Sequence, residues 1–315
     1  MSKYRHQLPQ LSRTPFITDG GLETTLVFHH GFELPEFAAF DLLAKTDGYA
    51  LLRSYYHDYI ALATVHKVGF ILESPTWRAS RDWGRKLGYT SRDLREINTQ
   101  SIAMLDELRN EAETSQSPMV ISGCIGPRGD GYEVADKMTA DQATAYHFEQ
   151  IKTFSETSAD LVSAFTINYA EEAVGITRAA QTAGIPAVIS FTVETDGRLP
   201  SGQSLGDAVT AVDAATNRGP AYYMINCAHP THFASALETK APWVDRIRAL
   251  RANASAKSHA ELDTAEELDD GNPEELGALY ANLVRQMPQL TILGGCCGTD
   301  HRHVEAICRA VSSQN

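Results

Sequence analysis

Eight short apolar runs, each ending on small or polar residues, constrain the fold of this chain more than any other feature. They are PFITDGG (15–21), KVGFILES (67–74), PMVISGCIG (118–126), DLVSAFTI (160–167), PAVISFTVE (186–194), AYYMINCA (221–228), VDRIRALRANAS (244–255) and QLTILGGCC (289–297). Most are nearly continuous Val/Ile/Leu/Phe stretches of strand length, as parallel strands covered on both faces require; the seventh is mixed. Between them lie segments with apolar residues at three- and four-residue spacing, over 46–67, 93–113, 139–158, 169–184, 205–219 and 273–288. Ser91 and Asp93 are available to cap the second of these, and several close on Gly or Pro. Strands alternating with helices predict an α/β fold, a single (β/α)8 TIM-type barrel over 14–315, behind an N-terminal extension of residues 1–13. A doubly wound sheet is the alternative. No linker or composition break divides the 315 residues, which favours one barrel.

In such a barrel the chemistry sits on loops at the C-terminal ends of the strands. Those ends carry Asp19-Gly20-Gly21, Glu73-Ser74, Gly126-Pro127-Arg128-Gly129, Phe165-Thr166, Glu194, Asn226-Cys227, Asn253 and Cys296-Cys297. The formal charge of −13 disfavours nucleic acid or an anionic membrane as partner, since both call for a basic surface. No window approaches eighteen consecutive apolar residues, and MSKYRHQLPQLSRTPF lacks the apolar core of a signal peptide. A cytoplasmic protein acting on small molecules is expected; a homo-oligomer is left open.

Five cysteines without an export signal speak for reduced thiols rather than a disulfide framework. Cys296 and Cys297 are adjacent, and successive side chains on a strand face opposite ways. At a strand end the ladder stops, and Gly294-Gly295 permit backbone angles closed to other residues, so both sulfurs could turn toward one centre. Cys227, at a comparable strand end, would complete a three-cysteine set of the kind that holds zinc with a fourth position open. Packing, or a redox disulfide between neighbours, are the competing readings of the pair. Cys124 in mid-strand and Cys308 on the closing helix read as buried small hydrophobes. His301 and His303 fall in the first turn of a helix capped by Asp300 and point apart; His29-His30 read as a solvated helix end. The acidic segment 255–275 lacks the regular oxygen spacing of a calcium loop, and its length after the seventh strand suggests a mobile flap over the barrel mouth.

Across roughly residues 14–311 the chain resembles the homocysteine S-methyltransferase family, whose relatives include betaine–homocysteine methyltransferase and the homocysteine-binding part of cobalamin-dependent methionine synthase. The resemblance lies in TDGGLETTL (18–26), ESPTWRAS (73–80), GCIGPRGDGYE (123–133), SFTVETDGRLPSGQSL (190–205), INCAHP (225–230) and GGCCGTDHRHVEAI (294–307). It implies a zinc-bearing barrel with Cys227, Cys296 and Cys297 as ligands. The implied reaction is methyl transfer from an onium donor to a small thiol, normally homocysteine giving methionine. It also implies that Asp19, with the Gly20 and Gly21 amides, binds the amino-acid part of homocysteine. Trp77 offers an aromatic face to a cationic donor, and Asn226 is placed to support the neighbouring ligand. The chain departs from the family twice. Relatives carry a glutamate in a strand-four stretch reading like FETIP, where this chain has Phe165, and a first-loop glutamate is replaced by Thr25. Asp19, Glu23 or Glu73 would then meet the ammonium, Glu73 being preferred, or the acceptor is another thiol. A zinc- or thiol-binding redox sensor is the alternative function. A metal hydrolase is weakened by the lack of nitrogen and carboxylate ligands on the first strand.

Overall fold

In the computed structural model, which describes residues 1–312, the eight apolar runs form β1 (Phe16–Ile17), β2 (Gly69–Glu73), β3 (Met119–Ile125), β4 (Leu161–Ile167), β5 (Ala187–Phe191), β6 (Tyr222–Asn226), β7 (Ile247–Ala252) and β8 (Ile292–Gly295). Neighbours pair in parallel, and β8 returns to β1 to close the barrel in sequence order. The fold is therefore the single α/β barrel expected from the alternation. Every strand falls inside its apolar run, and all but β4 stop short of the run's end, where the last residues leave the ladder to build loops. The seventh run is mixed because it opens with a 3-10 turn, Val244–Arg246, before β7 starts.

Alternating side chains divide the core in two. One set, including Phe16, Ile71, Val120, Leu161, Val188, Tyr222, Met224 and Ile292, fills the barrel interior. The other packs beneath the surrounding helices, among them Thr46–His66, Ser91–Ala112, Ala140–Ser155, Ala170–Ala183, Leu205–Thr216 and Pro273–Gln286. Thr90, not Ser91, caps the second of these: its side chain accepts from the Asp93 amide while the Asp93 carboxylate accepts from the Thr90 amide. Ser91 is the first helical residue.

The first thirteen residues stopper the N-terminal end of the barrel. Leu8 joins the interior cluster and Tyr4 packs against it. The Tyr4 amide donates to Asp160 Oδ1 at 2.7 Å. Arg5 donates to the carbonyls of Ser155, Thr157 and Ala159 at the C-terminal end of helix Ala140–Ser155, where the helix dipole favours a cation. At the opposite end, residues 22–45 fold into short irregular turns rather than a regular helix. Among the described residues no helix is long and apolar enough to cross a membrane.

Candidate active site

The C-terminal barrel mouth collects the residues singled out from the sequence. Cys227 directly follows β6 and Cys296 directly follows β8. The Cys227 amide still pairs with the Arg251 carbonyl at 3.1 Å, but its φ of 53° turns the chain out of the ladder. Thr166, on β4, shares this left-handed conformation at φ 60°. Left-handed angles cost a residue with a Cβ about 1–3 kcal/mol, so the surrounding bonds must hold them. Here they do: the Thr166 amide donates to Asn226 Oδ1, and Asn226 Nδ2 donates to Thr166 Oγ1 and to Cys227 Sγ at 3.2 Å.

The thiols of Cys227, Cys296 and Cys297 lie within 4.8 Å of one another, the only such group of potential ligands among the described residues. Cys227 and Cys296 are joined as a disulfide with Cα atoms 5.4 Å apart, while Cys297 is free. Three thiolates around a tetrahedral ion stand roughly 3.8 Å apart at metal–sulfur bonds of ~2.3 Å. Once reduced, the three sulfurs are near enough to hold a thiophilic metal ion without moving any strand. The Gly294-Gly295 pair serves a different purpose from the one its flexibility suggests. Neither residue has a positive φ; a Cβ on either would strike Thr18 or Thr299, so the glycines admit close packing, and Gly298 (φ 77°) supplies the unusual turn.

Below the thiols lies a charged cluster that the sequence showed only in part. Arg251, from β7 and 7% exposed, places Nη2 2.7 Å from Asp19 Oδ1. Its Nε and Nη2 also donate to the Gly295 and Gly20 carbonyls at 2.9 Å each. Asp19 Oδ2 accepts from Tyr55 at 3.0 Å. Glu73 Oε1 accepts from Ser163 on β4 at 3.1 Å, whereas its Oε2 is buried without a partner. Burial pushes the Glu73 carboxyl up to about 7, with Arg251 the leading charge opposing it. Glu23, half-buried near Cys297, is likewise raised to about 7 by burial, and burial together with Glu23 lifts the Cys297 thiol to about 11. The Gly21 amide donates to the Thr299 carbonyl at 2.9 Å and the Gly20 amide meets the Tyr59 hydroxyl, so both amides already have partners.

Trp77 closes one side of the mouth, its Nε1 donating to the Phe165 carbonyl at 3.4 Å. One face of its ring is already covered. The Arg78 guanidinium stacks 3.9 Å from the Trp77 ring and 3.5 Å from that of Trp83. On the far side Tyr132 contacts Cys297 and stacks on His259, whose Nε2 lies 2.5 Å from the Cys227 carbonyl. Sequence reasoning missed Arg78, Tyr132 and His259, which lie on loops or short helices with no periodic signal. For Arg251 a signal existed: it shares strand parity with Ala249 and Asn253.

The remaining candidates lie elsewhere. His301 is exposed, while His303 is buried against Asp300 and the Asp270 carbonyl. His29 and His30 are exposed. Cys124 lies in the barrel interior and Cys308 is buried among helices. In the acidic segment, Asp269 bonds Ser255 and Lys257, and Asp270 pairs with Arg302.

A profile of the family described as homocysteine S-methyltransferase matches residues 16–311. Among solved structures the chain is similar to the oxidised form of the homocysteine methyltransferase MmuM from Escherichia coli, with TM-score 0.75, 16% identity, and coverage of 99% of this chain and 100% of that one. The metallated form of MmuM matches with TM-score 0.73 and 17% identity over 98% of this chain and 99% of that one. At such identities the structural likeness speaks for the fold, and the profile, spanning nearly the whole chain, speaks for the family. The chain belongs to the homocysteine S-methyltransferase family and is a methyltransferase.

Proposed function

We propose that this methyltransferase moves a methyl group from a sulfonium or quaternary ammonium donor to the sulfur of a small thiol, the family's reaction being homocysteine to methionine. The observation that carries the reading is the convergence of Cys227, Cys296 and Cys297 within 4.8 Å at the C-terminal barrel mouth. Three soft donors supported by neutral hydrogen-bonding side chains suit Zn2+, with a fourth position left for an incoming sulfur. When bound, zinc supplies the Lewis acidity that keeps a thiol deprotonated at neutral pH.

The chain's own residues do the remaining work. Asn226 and Thr166 orient the Cys227 side chain through the bonds described above. Phe165 and Trp77 narrow the mouth and exclude water, and Trp77 keeps its uncovered face for the onium group. In the transfer, a lone pair on the acceptor sulfur forms the new C–S bond while the donor's bond to the same carbon breaks. The donor leaves as a neutral thioether or amine, and the acceptor's thiol proton passes to solvent. Holding both reactants in line removes a bimolecular cost of up to ~7–11 kcal/mol in favourable cases. The reduced thiols this chemistry needs suit the cytoplasm.

The test is zinc content together with a panel of donors crossed with thiols, read by mass spectrometry. Bound zinc and a methylated thiol are expected, and a folded Cys297→Ala variant should lose both. Full activity in that variant, or purified reduced protein that takes up no zinc, overturns the reading. The Cys227–Cys296 disulfide favours a second reading, a redox sensor holding zinc through the same thiols. It predicts a reversible disulfide and no methylated product from any donor.

A further inference from the structure

A thiol that is also an amino acid carries an ammonium, and an ammonium taken into a water-poor barrel mouth needs an anion there. The carboxylates at this mouth differ in what already occupies them. Asp19 is in ionic contact with Arg251 at 2.7 Å and accepts from Tyr55. Glu23 is only half-buried, so solvent can serve it. Glu73 is 4% exposed, and among the described residues no basic side chain forms an ion pair with it. Its Oε1 accepts from Ser163 at 3.1 Å, whereas Oε2 is buried without a partner. A buried acceptor left without a donor is unfavourable, and a charged N–H is the donor that suits a carboxylate best.

Strand parity fixes the direction in which this carboxyl points. Ile71 fills the barrel interior, and Glu73, two residues further along β2, faces the same way. On β4, Leu161 and Phe165 face inward with Ser163 between them. The Ser163 hydroxyl donates to Glu73 and lies 2.8 Å from the Ser122 hydroxyl, so β3 and β4 together hold a carboxyl delivered by β2. Phe165, the next inward residue of β4, is a hydrocarbon ring and offers no charge of its own. Glu73 is thus the carboxylate that this wall of the barrel presents. One residue beyond Phe165, the Thr166 hydroxyl touches Cys227 Sγ at 3.8 Å. Three residues of strand, roughly 10 Å, separate Ser163 from Thr166. A short amino acid with its sulfur at the thiols spans that distance.

We propose that Glu73 Oε2 receives the ammonium of the acceptor, making Glu73 the residue that selects an amino-acid thiol over its deaminated analogue. This rests on the methyl-transfer reading of the same site and names the side chain that recognises its acceptor. Burial holds the Glu73 carboxyl at about 7, so an ammonium arriving near neutrality displaces a proton to solvent and leaves the carboxylate behind.

The experiment titrates reduced full-length protein, supplied with zinc, with L-methionine and with 4-(methylsulfanyl)butanoate, the same molecule without its amine. Neither ligand has a thiol, so the comparison does not depend on thiolate formation. Methionine is expected to bind more tightly by about tenfold, and Glu73→Gln to abolish that preference while leaving the deaminated ligand within about twofold of its parent affinity. A merely structural role for Glu73 would weaken both ligands alike. Equal affinities in the parent, no binding of methionine at millimolar concentration, or a folded Glu73→Gln that keeps the preference or loses both ligands in parallel overturns the proposal. If Glu73→Gln does not fold, Ser163→Ala decides, since it releases Oε1 but keeps the carboxyl. It should weaken methionine several-fold and spare the analogue, and an unchanged preference again overturns the proposal. Methyl transfer to homocysteine, measured in parallel, separates the two readings. Transfer without a methionine preference overturns the role of Glu73 alone, whereas no transfer from any donor overturns methyl transfer and leaves the titrations to decide Glu73.

Discussion

Thr166 and Asn226 bond each other twice across the barrel mouth, amide to Oδ1 at 2.9 Å and Nδ2 to Oγ1 at 2.9 Å. Ser190 donates to the same Oδ1 at 2.6 Å, so three strands meet on one side chain, which also touches Cys227 Sγ. Two left-handed residues, Thr166 and Cys227, are thereby held in place by one amide. The strain of the strand ends and the placement of the Cys227 sulfur are one structural problem with one solution.

Replacing Asn226 by Ala should accordingly loosen the cysteine without opening the barrel. Outer partners of metal ligands typically contribute 10–100-fold in affinity, and a loss of about that size is expected in a chelator competition for zinc. Circular dichroism should remain that of the parent. Unchanged zinc affinity would separate Asn226 from the metal set.

The disulfide joining Cys227 and Cys296 uses two of the three sulfurs proposed to hold the metal. Oxidation and zinc loading should exclude each other. Protein oxidised without metal should show one disulfide and a Cys297 thiol open to alkylation, whereas zinc-loaded protein should resist both oxidation and alkylation at all three positions. Peptide mapping after differential alkylation checks this, and zinc retained by fully oxidised protein would refute it.

How much of this was legible follows from what each residue's neighbours are. The barrel was readable because parallel strands buried on both faces need unbroken apolar runs, and those runs mark their own ends. The meeting of the three cysteines was readable because Cys227, Cys296 and Cys297 all follow strands at the same end of the barrel. Arg251 was obscured: arginine inside a strand ordinarily means a solvated face, and β7 was the least regular run. Parity with Ala249 hints that its side chain points inward, and the closed barrel shows it directed toward carboxylates delivered by β2 and the loop after β1. Tyr132 and His259 meet Cys297 and Cys227 through loops 127 residues apart in sequence (259 − 132), and no local pattern records such a meeting. The Gly294-Gly295 pair was recognised for the wrong property, since its role is clearance against Thr18 and Thr299.

Glu73 should make the protein less stable as pH rises from about 4.5 to about 7. Its carboxyl is lifted from 4.5 to about 7 by burial, so the folded state keeps the proton longer than the unfolded chain. This contribution is fully present below about pH 4.5 and is lost as pH rises through about 7. A gap of that size corresponds to roughly 3 kcal/mol at most. Glu23, also raised to about 7, titrates in the same sense, so Glu73→Gln should remove part of the slope. Urea unfolding at a series of pH values from 5 to 8 measures it; an undiminished slope in the variant would assign the effect elsewhere.

Asp160 ties the N-terminal stopper to the barrel. Its carboxylate, fully buried, accepts from the Tyr4 amide, the Ile121 amide and Arg109 Nη1 at 2.7, 2.9 and 2.8 Å. Asp160→Ala would leave the Tyr4 and Ile121 amides and Arg109 Nη1 without their acceptor, while Asp106 still pairs with Arg109 Nη2, a change that costs about 1–3 kcal/mol for each buried group left unsatisfied. A large fall in the urea midpoint is expected, together with faster proteolysis near residues 4–8. A loss below about 1 kcal/mol would mean that water replaces the carboxylate.

His259 links the segment after β7 to the cysteines. Its Nε2 lies 2.5 Å from the Cys227 carbonyl, its Nδ1 3.1 Å from Glu194 Oε1, and its ring stacks on Tyr132 with centroids 4.1 Å apart. None of residues 259–263, the short helix that Ser258 caps, is fully buried. Removing the imidazole should therefore release the segment as a flap while leaving the barrel intact. His259→Ala is expected to raise amide exchange across 255–271 and to lower kcat/KM for methyl transfer by about tenfold, the worth of roughly one hydrogen bond. His259→Gln keeps a donor that can reach the Cys227 carbonyl but loses the ring, so it should recover the rate more fully than the exchange protection. If both variants exchange and react like the parent, the histidine merely fills the surface and the cysteine peptide is held by Thr192 and the β7 ladder alone.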